Sequence, residues 1–160
     1  MGERESEGNF FSYILDKNPN KEAIINEIAQ RLNKRRFECM PEYETSFLNI
    51  IKHPQACVYP PVTKWLRSFY DADCVITDSF HGTVFSIIFN KPFYVLVNNA
   101  RGAARFSNLL GMFGLEHRMI STADSDVLDQ PIDWKRVNMS LEEMKNKSLS
   151  FLREALCVDL

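Results

Sequence analysis

Hydrophobic and polar positions along the chain switch between a strand-like and a helix-like pattern. Short apolar runs rich in β-branched and aromatic residues predict four strands, at residues 9–15, 36–40, 74–77 and 92–97. Apolar residues at helical spacing and capping signals predict helices that begin at Pro19, Pro61, Arg105 and Ser140. Residues 82–89 fit a strand or a helix by periodicity alone, and a helix is predicted because a strand follows and a βαβ unit needs a crossover. This alternation is typical of βαβ units, so the chain is predicted to be an α/β domain with a mostly parallel sheet.

Capping residues and prolines mark the ends of the helices and the long connections. Asn18 or Asn20 is expected to cap the first helix. Ser140 and Glu143 have the spacing of a capping box, which predicts the start of the last helix. Residues 41–60 contain three prolines and are predicted to form one long irregular loop.

Length and the polar start of the chain predict its domain organisation. The 160 residues are enough for one domain with a hydrophobic core. Residues 1–8 are polar and are expected to be a disordered leader or a remnant of cloning, which leaves 9–160 as a single domain. No apolar run reaches the roughly 18 residues needed to cross a bilayer, so no transmembrane segment is expected.

Charge and cysteine spacing narrow the classes of function. The net charge is -2, so no nucleic-acid-binding surface is expected. The four cysteines form no CxxC pair, so no metal site is expected. Cys74 lies inside an apolar run and is expected to be a buried thiol, which fits a reducing, cytoplasmic setting.

A group of polar residues interrupts the apolar segment that contains the third and fourth strands. The sequence TDSFHG follows the strand at 74–77 and precedes the next helix. Ligands of α/β sheets bind at the carboxyl ends of strands, and a helix N-terminus there favours phosphate or carboxylate. His81 is therefore a candidate general acid or base, and Asp78 a candidate group to orient it. The residues of this segment that are predicted to bind substrate are Ser79, Phe80, Gly82 and Thr83.

The same segment also has a purely structural interpretation. Asp78 and Ser79 would cap the helix, since short polar side chains accept hydrogen bonds from its free N–H groups. Gly82 would permit close packing and His81 would be a partly buried imidazole.

A second polar cluster follows the fourth predicted strand. Asn99, Arg101 and Arg105 lie past its carboxyl end and are predicted to bind substrate. If the two strands are neighbours, Arg101 and Arg105 would clamp an anion beside the TDSFHG segment, because guanidinium groups bind carboxylate and phosphate through paired hydrogen bonds. Arg118 is interpreted as a solvated surface charge.

Two long segments, ADCVITDSFHGTVFSIIFNKPF and NNARGAARFSNLLGMFGLEHRMI, resemble the polysaccharide pyruvyl transferase family. The resemblance includes FFSYILDKN near the start and SLSFLREAL near the end, so it covers about residues 9–156. It implies a Rossmann-like three-layer fold, similar to the C-terminal domain of a GT-B-type transferase. The N-terminal half of the same enzyme would then be a partner of this domain.

The resemblance also implies an activity. Members of the family transfer the enolpyruvyl group of phosphoenolpyruvate to two hydroxyls of a sugar as a pyruvate ketal, in the synthesis of bacterial capsule, exopolysaccharide or cell wall. Phosphoenolpyruvate would be the donor substrate, a saccharide the acceptor, and no cofactor is implied. The histidine at His81 matches the catalytic candidate of the family. Several members have Arg-Leu-His at the position of Ser79, Phe80 and His81, so Arg101 and Arg105 are the expected substitutes for that arginine.

Two other functions fit the same residues. A GT-B-like glycosyltransferase domain would bind the diphosphate of a nucleotide sugar at the same helix N-terminus, and a non-catalytic module would only bind sugar or phosphate. The isolated chain is expected to be inactive, because the acceptor contacts would lie largely in the missing half. Phe10, Phe11 and Tyr13 are expected to face that half or a second subunit of a homo-oligomer.

Overall fold

Five parallel strands form the sheet of the protein. The computed structural model describes residues 8–43, 46–97, 102–123 and 126–156. The strands are β1 (Phe10–Tyr13), β2 (Arg36–Phe37), β3 (Cys74–Thr77), β4 (Phe93–Leu96) and β5 (Met119–Ile120). Their order is β2-β1-β3-β4-β5, and each neighbouring pair is parallel. The predicted α/β class and parallel sheet are confirmed.

Helices connect and cover the strands. Within the described ranges the α-helices are α1 (Pro19–Arg31), α2 (Phe47–Lys52), α3 (Val62–Asp71), α4 (Phe80–Ile88), α5 (Ala103–Gly111) and α6 (Trp134–Leu156). Short 3-10 helices lie at Pro54–Cys57, Glu116–Arg118 and Asp126–Asp129. In the part of the chain that is described, no helix is both long enough and apolar enough to cross a membrane.

Each face of the sheet has its own hydrophobic cluster, which makes the fold three-layered and Rossmann-like. Side chains alternate along each strand, so neighbouring residues of β4 enter different clusters. Tyr94 and Leu96 pack with α1 on the first face, whereas Phe93 and Val95 pack with α3, α4, α5 and α6 on the second. Both clusters bury strand residues almost fully.

The first and last helices differ in how well their starts were predicted. Asn18 caps α1, since its Oδ1 accepts the N–H of Lys21 at 2.9 Å. The start predicted at Ser140 was wrong, because α6 already begins at Trp134. There Asp133 Oδ1 accepts the N–H of Arg136 at 3.1 Å and supplies the cap. The spacing of a capping box also occurs inside helices, where i and i+3 side chains share a face.

Two elements escaped prediction. Residues 41–60 are not one irregular loop, since α2 forms within them with Ser46 Oγ accepting the N–H of Asn49 at 3.3 Å. β5 has only two residues, which is too short for a period-2 pattern to be visible. It is a strand because it pairs with Val95 and Leu96 of β4.

Three residues expected at the surface or at an interface lie in the core instead. Phe10 and Phe11 are fully buried in the protein's own sheet, so they face neither another half nor a second subunit. Arg118 is not a solvated charge, since only 1% of it is exposed. Its guanidinium donates to the carbonyls of Val127 and Gln130, and burial lowers its pKa. The predicted burial of Cys74 is confirmed, and burial raises the pKa of its thiol to about 12.

Candidate functional site

The topological switch point of the parallel sheet lies between β1 and β3, because the chain adds strands on one side of β1 first and then on the other. β2 lies on one side of β1, whereas β3, β4 and β5 follow on the other side. α1 packs on one face of the sheet and α4 on the other. The turns after β1 and β3 therefore run from the carboxyl edge towards opposite faces of the sheet, and a crevice lies between them. In open α/β sheets this crevice is the usual ligand site.

A buried ion pair joins the two turns. The carboxylate of Asp78, after β3, accepts the N–H of Leu15 at 2.7 Å and that of Asp16 at 3.0 Å. It also accepts a hydrogen bond from Lys21 Nζ at 2.5 Å, and Lys21 Nζ donates in turn to the carbonyl of Asp16 at 3.0 Å. The two side chains are 1% and 9% exposed. Asp78 thus holds the β1–α1 turn against the β3–α4 turn, and it has no hydrogen bond to His81.

The amino end of α4 presents free N–H groups to the crevice. Ser79 is the N-cap, and its Oγ accepts the N–H of Gly82 at 3.4 Å. The N–H of Ser79 itself donates to Thr77 Oγ1 at 3.0 Å. The N–H groups of Phe80 and His81 have no hydrogen-bond partner among the described residues. Two free donors and the positive end of the helix dipole therefore lie together at this edge.

Gly82 and Thr83 face away from the crevice. Both are buried, and the hydroxyl of Thr83 donates to the carbonyl of Ser79 at 3.1 Å. A Cβ added at Gly82 would lie 2.4 Å from Thr77 Oγ1 and 3.1 Å from Tyr13 Cδ1. Gly82 lets α4 pack closely on β1 and β3, as the structural interpretation of this segment expects.

Replacement of Gly82 by alanine is expected to lower the free energy of unfolding by about 1–3 kcal/mol, the usual cost of overpacking. Thr77 Oγ1 cannot move aside easily, because it also donates to the carbonyl of Tyr13 at 2.7 Å. Urea denaturation followed by circular dichroism measures the change. Gly111→Ala is the matched helical control, since its added Cβ would meet only the flexible end of Glu116 at 3.3 Å. Equal effects of the two substitutions would contradict close packing at Gly82.

His81 and Arg105 meet at a cleft of about 190 Å³ in the crevice. His81 is exposed on the first turn of α4, and Arg105 is exposed on the first turn of α5. The guanidinium of Arg105 lies over the ring of Phe80, with 5.9 Å between Cζ and the ring centroid. The residues that line this switch-point cleft are Leu15, Asp16, Asp78, Ser79, Phe80, His81, Arg105 and Phe106.

The cleft unites residues that lie far apart in the chain. His81, Asp78, Ser79, Phe80 and Arg105 were predicted from sequence and line it together. Asn99 and Arg101 lie outside the described residues, as does most of the leader predicted at 1–8.

Sequence reasoning missed four residues of the site, namely Leu15, Asp16, Lys21 and Phe106. The available signal was the polar run DKN shortly after β1, which parallels the polar pair DS directly after β3. That run was interpreted as a simple turn, because nothing in the sequence indicates that β1 and β3 are neighbours.

The fold and the cleft define a doubly wound α/β domain with a helix N-terminus, whose first N–H groups are free among the described residues, at the switch point of its sheet. The family model described as Polysaccharide pyruvyl transferase matches residues 7–100, which is more than half of the chain. The chain therefore belongs to the polysaccharide pyruvyl transferase family, a family of transferases. Searches of curated proteins and of solved structures give no match.

The matched segment contains β1 to β4, the ion pair and the TDSFHG turn. It ends before α5, so Arg105 lies outside it. The resemblance of residues 101–156 to the family stays a prediction.

Proposed function

We propose that this domain binds phosphoenolpyruvate in the switch-point cleft. It takes part in the transfer of the pyruvyl group of that donor to a saccharide, where the group forms a pyruvate ketal. Family membership supports a transferase with a saccharide acceptor. The observation that carries the donor proposal is the amino end of α4, where the free N–H groups of Phe80 and His81 lie beside Arg105.

The charge and size of the cleft both favour this donor. Phosphoenolpyruvate carries a phosphate and a carboxylate, which need several N–H or cationic donors. The helix end and Arg105 supply them, and Arg101 is the further candidate from the sequence. At about 190 Å³ the cleft lies below the roughly 300 Å³ of a typical drug-sized ligand site. A three-carbon phosphate suits this volume better than a nucleotide sugar does.

The proposed chemistry proceeds in two additions at C2 of the donor. A proton adds to C3 of the enol, and one sugar hydroxyl attacks C2 and loses its proton. The bond between C2 and the phosphate oxygen then breaks, and inorganic phosphate leaves. A second hydroxyl attacks C2 and loses its proton, which closes the ketal. His81 lines the cleft and is proposed to donate a proton to the leaving phosphate and then to accept one from the attacking hydroxyl.

Asp78 is proposed to act on this site through position. Its carboxylate is occupied by Leu15, Asp16 and Lys21, so it fixes the two turns that form the walls of the cleft. The residues with the first N–H donors of α4 come shortly after Asp78 in the chain. The role of general acid and base is therefore given to His81 alone.

The rest of the reaction is proposed to need a second α/β half of the same enzyme. That half would supply most contacts to the acceptor, so we expect the 160-residue chain alone to form no ketal. Because phosphoenolpyruvate is a cytoplasmic metabolite, we expect the reaction in the cytoplasm, in the synthesis of bacterial capsule, exopolysaccharide or cell wall.

Titration of the ¹⁵N-labelled chain with phosphoenolpyruvate tests the donor proposal. The amide resonances of Leu15, Asp16, Phe80 and His81 are expected to shift, and Arg105→Gln is expected to weaken binding about tenfold through loss of a charge-assisted contact. Arg35→Gln is the matched control, because Arg35 is an exposed arginine at the amino edge of β2.

The same titration with a uridine diphosphate sugar and with inorganic phosphate separates the alternatives. Tighter binding of the nucleotide sugar would replace the donor proposal with the glycosyltransferase one. Equal binding of inorganic phosphate and phosphoenolpyruvate would identify a phosphate site without recognition of the enol or carboxylate. Shifts that avoid the switch-point cleft would refute the proposed location.

A further inference from the structure

A second cavity opens at the same carboxyl edge of the sheet. It has a volume of about 320 Å³, within the usual range for a small-molecule site. Its walls come from the β1–α1 turn and from the segments before and after α2. Its lining consists of Ile14, Leu15, Lys17, Met40, Pro41, Glu42, Tyr43 and Tyr59, and we name it the tyrosine cavity. Leu15, which is 51% exposed, lines both this cavity and the switch-point cleft, so the two adjoin.

Two tyrosine rings give the cavity its apolar surface. Tyr59 is 63% exposed and Tyr43 is 43% exposed. The ring of Tyr43 stacks on that of His53, with 4.7 Å between the centroids and 13° between the planes. The backbone N–H of Tyr43 donates to the carbonyl of Ala56 at 3.2 Å. The ring of Tyr43 is therefore held in place while much of it stays open to a ligand, which lowers the entropy cost of binding.

The polar groups of the cavity are mixed in charge. Lys17 and Glu42 line it, and Lys17 Nζ is paired with Glu38 at 2.6 Å. Unlike the switch-point cleft, this cavity has neither a helix N-terminus nor an arginine among its described lining residues. Its chemistry therefore suits a neutral ligand with many hydroxyl groups and apolar faces better than a second phosphate.

We propose that the tyrosine cavity is a saccharide subsite, which holds part of the acceptor with its hydroxyl groups directed at the switch-point cleft. The tyrosine rings would pack against the C–H face of a sugar ring, and Lys17 and Glu42 would bond to its hydroxyls. This inference rests on the proposed function, because ketal transfer requires an acceptor beside the donor. It gives this domain a direct part in acceptor recognition.

Methyl glycosides of glucose, galactose, mannose and their N-acetylated forms serve as probes, at millimolar concentration, with the ¹⁵N-labelled chain. At least one glycoside is expected to shift the amide resonances of Tyr43 and Tyr59. Tyr59→Ala is expected to weaken that binding by about tenfold, as truncation of a ring at a contact centre does. Tyr70→Ala is the matched control, since Tyr70 is also 63% exposed but lies on α3 outside the cavity.

The outcomes separate this inference from the donor proposal. If phosphoenolpyruvate binds and no glycoside shifts the resonances of Tyr43 and Tyr59, the subsite is refuted and the donor proposal stands. If glycosides bind there and phosphoenolpyruvate does not bind, the donor proposal fails and the saccharide site stands. If the rest of the enzyme covers Tyr43 and Tyr59 and no glycoside shifts their amide resonances, this surface is a domain interface and the subsite proposal is overturned.

Discussion

Replacement of His81 by alanine is expected to lower kcat of the full enzyme at least about 10²-fold, the usual contribution of a positioned general acid or base. The imidazole of His81 is exposed, and His81 lines the switch-point cleft. Its backbone N–H remains in the variant, so phosphoenolpyruvate should still bind to the amino end of α4. Release of inorganic phosphate, measured with donor and acceptor together, reports the loss of turnover.

His117→Ala is the control for this substitution. His117 is also exposed, but it lies next to the amino end of β5, at the opposite edge of the sheet. Its removal should leave kcat within about twofold, since it touches no part of the cleft. If His81→Ala kept more than about a tenth of wild-type turnover, an acid–base role for His81 would be ruled out. If donor binding were lost together with turnover, His81 would be a binding residue instead.

Replacement of Asp78 by alanine is expected to lower the free energy of unfolding by about 3–5 kcal/mol, because it leaves the buried ammonium of Lys21 without its partner. It also removes the acceptor of the N–H groups of Leu15 and Asp16. Lys21→Met should cost less, because Asp78 would keep these two backbone donors. Urea denaturation followed by circular dichroism gives both values.

The ion pair of Lys34 with Asp73 provides the matched comparison. It joins the connection between α1 and β2 to the residue before β3, at the amino edge of the sheet, with 3.0 Å between Lys34 Nζ and Asp73 Oδ2, and its side chains are far more exposed. Asp73→Ala should therefore cost about 1 kcal/mol or less. Similar losses for Asp73→Ala and Asp78→Ala would contradict a special role for the buried pair. Should Asp78→Ala fail to fold, Lys21→Met still tests the pair, through its stability and its affinity for phosphoenolpyruvate.

The part of the candidate site that could be predicted is the part within one βα unit. TDSFHG lies between a predicted strand and an apolar run that a second strand follows, so its place at a helix N-terminus follows from the crossover that a βαβ unit needs. The cap at Ser79 and the close packing at Gly82 were part of the structural interpretation, but the partners of Asp78 did not follow from the pattern. Ser79 caps α4, Gly82 packs on β1 and β3, and Asp78 bonds to a turn more than sixty residues away.

Burial of single polar residues was the least predictable property. Arg118 and Lys21 are both almost fully buried, although lysine and arginine are usually exposed. Lys21 lies at the start of an amphipathic helix, where a solvated charge is the common case. Each is buried because a distant segment supplies its partners, Asp78 for Lys21 and residues 127–130 for Arg118.

The α/β class, the parallel sheet and the place of a helix N-terminus directly after β3 were predictable from the sequence. These features depend on which face of each element is apolar, and a local pattern of two or 3.6 residues records that. The tertiary structure alone decided that β1 lies beside β3, that Lys21 and Asp78 pair across the crevice, and that the tyrosine cavity adjoins the switch-point cleft. Strand order is set by packing between segments far apart in the chain, and no local pattern carries that information.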